Sequence, residues 1–109
     1  MAGKKAIPDE VRTEVETRVG RFNREVVKNP RQQFSVRFRG KNAYFDRESF
    51  GYIGPRARLT YTGDMEQWEF AIYKYSDERY DPEEWMFPGA ENIDGTVEGA
   101  LRAAMAAYP

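Results

Sequence analysis

Four arginines stand in two pairs, Arg37 with Arg39 and Arg56 with Arg58, and Tyr44 and Tyr73 fall in neighbouring stretches of the same alternation. A two-residue step puts both members of a pair on one face of a β-strand. Guanidinium groups meet phosphates and phenol rings stack on bases. Arg37, Arg39, Tyr44, Arg56, Arg58 and Tyr73 are therefore a candidate face for single-stranded nucleic acid or another anion. Without a ligand, the same residues make a solvated face with cross-strand ion pairs, Arg37 with Asp46 and Arg58 with Glu69.

Carboxylates offer a second chemistry. Asp46 and Glu48 lie two apart near a strand end, and Glu83 and Glu84 open a turn. Paired acids hydrolyse glycosides or hold Mg2+. This spacing is diagnostic of neither, so a carboxylate-dependent, Mg-assisted hydrolase stays an alternative without a defined residue set. The chain has no histidine and no cysteine. The usual near-neutral base, a thiolate nucleophile and a disulfide framework are thereby excluded, and zinc loses its ordinary ligands. The expectation is a small binding or interaction domain with no catalytic residue, no cofactor and no metal.

A third feature is aromatic. Tyr73, Tyr75, Tyr80, Trp85, Phe87 and Pro88 fall within seventeen positions of an acidic stretch. Tyrosine and tryptophan dominate interface hot spots, which makes Tyr75, Tyr80, Trp85 and Phe87 a candidate protein interface. The competing reading is a long connection that packs its rings over the end of the core.

The elements that position these residues follow from periodicity. Pro8, Asp9 and Glu10 suit a helix start. Val11, Val15, Val19, Phe22 and Val26 then form one stripe, which predicts a helix over 8–28 ended by Asn29-Pro30. Glu14 and Arg18 lie one turn apart on its outer side, as do Arg21 and Glu25. Phe34, Val36 and Phe38 alternate with Ser35, Arg37 and Arg39 in a half-buried strand. A two-residue turn at Gly40-Lys41 places Val36 opposite Phe45 and Phe38 opposite Ala43. Residues 48–55 read as a longer connection, because Gly51, Gly54 and Pro55 break the pattern.

A third strand points Ala57, Leu59 and Tyr61 inward and Arg56 and Arg58 outward. A fourth points Trp68, Phe70 and Ile72 inward. A two-residue loop between them pairs Leu59 with Trp68, and a four-residue loop pairs Tyr61 with Trp68; both keep the same residues inward. Asp81 with Pro82 predicts a short helical turn, and Asp94 an N-cap. Val97, Leu101, Ala104, Met105 and Tyr108 form the stripe of a last helix. The expected fold is a two-layer α+β domain: helix, four antiparallel strands, helix, with both helices on one face.

Length and composition agree with one domain over 1–109, its first six residues a loose arm. Forty per cent of residues are hydrophobic and 15% aromatic, enough for a core. No stretch is apolar enough to cross a bilayer, and the lack of cysteine suits a reducing compartment, so a cytoplasmic protein without membrane partners is expected. Charge is unevenly spread. Residues 31–58 hold seven basic and two acidic side chains, and residues 59–109 hold three basic and eleven acidic. Such asymmetry suits polar partners or pairing across the fold. A bare sheet face with free edges also invites a protein partner or a homodimer, to which Gly51-Tyr52-Ile53-Gly54 would contribute.

The run from Leu59 through Thr62-Gly63-Asp64, Trp68 to Asp81, Trp85, Phe87-Pro88-Gly89 and Asp94-Gly95-Thr96 looks like a family of small prokaryotic proteins of unknown function. The resemblance covers most of the chain after the first helix and implies no activity. The element order also resembles that of double-stranded RNA-binding domains in outline. Their last helix opens with a lysine-rich motif, where this chain has Ala90-Glu91-Asn92-Ile93-Asp94-Gly95.

Overall fold

The structure, a computed structural model, describes residues 6–109, so the expected arm lies outside it except for Ala6. Helix α1 spans Asp9–Phe22 and buries Val15, Val19 and Phe22. Glu14 and Arg18 pair at 2.9 Å as their spacing predicts, and Arg18 also reaches Glu66 at 3.0 Å. The expected continuation to residue 28 takes another form. Asn23–Val27 widen into a π turn, and Lys28 ends it with a left-handed backbone at φ 66°. The cause is Asn23. Its side-chain amide donates to the Phe34 carbonyl and accepts from the Phe34 N–H, both at 2.9 Å. One side chain thereby stands in for one residue of a neighbouring strand.

The sheet has five antiparallel strands rather than four, ordered as in the sequence. They are β1 Phe34–Arg39, β2 Asn42–Ser49, β3 Tyr52–Thr60, β4 Glu69–Lys74 and β5 Arg79–Asp81. The first hairpin has the expected register, with Val36 opposite Phe45 and Arg37 opposite Tyr44. The connection expected over 48–55 is a tight hairpin. Ser49 pairs with Tyr52, and Phe50-Gly51 make the turn with φ 48° and 100°. Between β3 and β4 the wider register holds, with Leu59 opposite Phe70 and Ala57 opposite Ile72. Tyr61 and Trp68 continue that register with ring centroids 5.0 Å apart.

Where a helical turn was expected at Asp81, β5 ends in a turn in which the Asp81 carboxylate accepts from the Glu83 N–H. Helix α2 spans Val97–Ala107, and its N-cap is Thr96, not Asp94. Thr96 caps Gly99 N–H, while Asp94 accepts from the Thr96 N–H and hydroxyl. Those bonds hold the Asp94 carboxyl below its usual range.

The inward residues of the sheet share one core with both helices. Phe34, Phe45, Leu59, Phe70 and Ile72 meet Val15, Val19 and Phe22 of α1 and Val97, Leu101 and Ala104 of α2. Arg47 also lies on this side, 5% exposed. Its guanidinium donates to the Gln32 and Tyr108 carbonyls and lies over the Phe34 ring at 5.1 Å. Burial and the nearby Arg56 depress its pKa. Among the described residues no helix is long and apolar enough to cross a membrane.

Candidate ligand-binding face

The other alternate set of strand residues carries the arginines and tyrosines. Arg37 and Tyr44 are directly opposite, Tyr44 is opposite Arg58, and Tyr73 is opposite Tyr80. Tyr44 and Tyr80 meet edge-on at 5.3 Å across the strands between them, and Tyr80 meets Tyr73 at 4.9 Å. The Arg37 guanidinium lies 4.9 Å from the Tyr44 ring centre, and that of Arg58 lies 5.7 Å from the Tyr80 ring centre. Three rings and two cations thus form one continuous surface. Burial pushes the Tyr80 hydroxyl pKa up, against the opposing pull of Arg37.

The cations differ in how far they are committed. Arg37 pairs with Asp46 at 2.8 Å, as expected, and this bond raises its pKa. The expected pair of Arg58 with Glu69 does not form. In the wider register Arg58 faces Ala71, and Glu69 faces Thr60. Arg58 therefore has no carboxylate partner among the described residues, and its Nε is buried without a hydrogen-bond partner there. Arg39 and Lys41 are exposed, and with Asn42 and Tyr44 they line a hollow of about 480 Å³ beside the first turn.

Arg56 is turned away from this group. The ladder shifts between Phe45 and Asp46, so Asp46 faces Pro55 while Phe45 faces Ala57, and Arg56 is the extra residue. A bulge of this kind breaks the two-residue alternation. The Arg56 guanidinium donates to the Tyr75 hydroxyl at 2.7 Å and lies over the Tyr108 ring at 5.6 Å.

Of the four aromatics grouped in the sequence as a protein interface, Tyr75 and Phe87 line one hollow, and Tyr75 and Tyr80 each meet Tyr73 at 4.9 Å. Tyr80 joins the sheet face. Phe87 stacks on Phe70 against the core at 6.2 Å. Tyr75 donates to the Pro55 carbonyl and packs edge-on against Tyr108. Trp85 and its neighbour Met86 stay exposed.

One carboxylate of each expected pair is engaged elsewhere. Asp46 holds Arg37, and Glu84 holds Lys74 at 3.1 Å, with Asp81 and Asp77 on the same ammonium. Among the described residues no group of three or more carboxylates is arranged to hold a metal ion. No family model, curated protein or solved structure matches the chain.

Proposed function

We propose that the chain is a binding domain that takes single-stranded nucleic acid on its tyrosine–arginine sheet face. Arg39, Lys41 and Arg58 meet phosphates, and Tyr44 offers a ring for a base. The carrying observation is the β3–β4 register, which sets Arg58 against Ala71 and leaves it without a carboxylate partner among the described residues, beside Tyr80. Both helices lying on the far side of the sheet would keep this face open. The single core shared by α1, α2 and the inward strand residues supports that arrangement. Tyrosine rings and uncommitted guanidinium groups together suit stacking and phosphate contact better than either catalysis or a solvated surface alone.

Arg39, Lys41 and Arg58, which have no carboxylate partner among the described residues, set the expected salt dependence. For single strands the slope of log K against log salt is about −0.7 per phosphate contact, which gives roughly −2 here. The test is fluorescence anisotropy of a labelled mixed-sequence oligonucleotide across a salt series. Arg58→Gln should make the slope shallower by ~0.7. Tyr44→Ala should weaken binding by ~1–3 kcal/mol and leave the slope unchanged. Absence of binding at the lowest salt, or binding indifferent to both substitutions, would refute the proposal.

A further inference from the structure

A second surface, which adjoins the sheet face where Tyr75 meets Tyr73 at 4.9 Å, exposes large apolar side chains. At the β2–β3 turn Phe50 adopts a left-handed backbone that a bulky side chain pays for with about 1–2 kcal/mol, yet more than half of its surface stays in water. Tyr52 beside it is 82% exposed, and Ile53 is also largely exposed. Two residues further on, the Tyr75 hydroxyl lies against Gly54 and accepts from Arg56. Tyr75 in turn lines a hollow of about 390 Å³ with Met86, Phe87 and Tyr108, whose wall also carries the Lys74–Glu84 ion pair. Met86 on its rim is 91% exposed. The hairpin tip and the hollow are thus continuous through Tyr75.

We infer that this surface pairs with a second copy of the chain about a two-fold axis, the tip of each copy seating in the hollow of the other. A surface holding both a projection and a recess is self-complementary, and a two-fold closes it into a dimer. Six large apolar side chains, Phe50, Tyr52, Ile53, Tyr75, Trp85 and Met86, are exposed there or in the adjoining segment. At ~200 Å² for a fully exposed large side chain they offer on the order of 800 Å². A standard stable interface takes about 800 Å² from each partner, so this exposed area is the upper bound of what the surface gives, Tyr52 and Ile53 being consecutive residues of β3 that point to opposite faces. Charge agrees with the pairing. Arg31 lies over the Phe50 ring at 5.9 Å and has no carboxylate partner among the described residues. The segment bordering the hollow is acidic, with Glu83 exposed and unpaired among the described residues. Tip and hollow fall in the basic and acidic parts of the chain respectively.

Sedimentation equilibrium of the full chain from micromolar to near-millimolar concentration tests this. The expected result is a mass approaching twice that of the chain. Tyr52→Ser with Ile53→Ser should give a monomer, and so should Met86→Ser alone, each with an unchanged circular dichroism spectrum. Arg31→Glu should raise the dimer dissociation constant about tenfold or more, and adding Glu83→Lys should recover most of that loss. A chain that stays monomeric throughout overturns the inference and leaves the patch to a different partner. A dimer that survives both the tip and the hollow substitutions overturns it equally. None of the substituted residues belongs to the tyrosine–arginine face, and because Tyr75 touches Tyr73 there, oligonucleotide binding measured on the same variants separates the two surfaces.

Discussion

Replacing Asn23 with alanine isolates the contact that fastens the first helix to the sheet edge. Asn23 is 8% exposed and makes two hydrogen bonds to one residue, to the N–H and the carbonyl of Phe34. β1 is an edge strand, and these groups of Phe34 have no further strand to meet. Truncation leaves both stranded beside the buried rings of Phe22 and Phe34, 6.0 Å apart. A buried polar group left without its partner costs ~1–3 kcal/mol, so the pair of losses should amount to about 2–6 kcal/mol. A domain of this size has only ~5–15 kcal/mol in total. The assay is urea unfolding followed by circular dichroism. The midpoint should fall while the m-value is preserved, since the surface exposed on unfolding hardly changes. A loss below ~0.5 kcal/mol would refute the reasoning, because Phe34 would then satisfy its backbone without Asn23.

Two further outcomes follow from local geometry. Gly89 has φ 99°, and a Cβ there would sit 2.5 Å from Ala106 Cβ and 2.9 Å from the Ala103 carbonyl oxygen. Gly89→Ala should therefore cost more than the ~1–2 kcal/mol of a left-handed residue alone, seen as a lowered thermal midpoint; an unchanged midpoint would contradict the packing of this turn on α2. Burial raises the Tyr80 hydroxyl pKa above its ordinary 10.0, so the folded state favours the neutral phenol. Stability from this group is complete below the unfolded-state value and is lost as pH rises through the folded one. Tyr80→Phe should flatten the alkaline fall in stability, and phenolate absorbance of the native protein should show one late-titrating tyrosine fewer in that variant.

Much of the architecture was legible in residue pattern. The first hairpin follows from the alternation about Phe34–Phe38 and the glycine of Gly40-Lys41, and it appears with its expected register. The last helix follows from its alanine-rich stripe. Other features left weaker marks. β5 is three residues long and flanked by charges, too short for alternation to register. The second turn uses Phe50 where asparagine or glycine usually signals a tight hairpin. Pro55 beside Gly54 inside a strand was the available sign of a bulge, and it is the bulge that removes Arg56 from the arginine face.

The candidate site itself turned on one quantity that periodicity does not carry. Two registers between β3 and β4 keep the same residues inward, and only one of them parts Arg58 from Glu69. Tyr80 entered the site through β5, so its role required the fifth strand. Asn23 had a detectable signal, a polar residue between Phe22 and Val26 on the apolar stripe, and its partner across eleven residues did not.

The central claim is that the tyrosine–arginine face binds single-stranded nucleic acid, and amide chemical-shift mapping tests it most directly. The isotope-labelled protein would be titrated with mixed single-stranded oligonucleotides at low salt. The predicted result is a set of shifts clustered at Arg39, Lys41, Tyr44, Arg58 and Tyr80 that collapses as salt is added and is lost in Arg58→Gln. A silent spectrum, or shifts confined to the β2–β3 tip and the Trp85–Met86 segment, would contradict it.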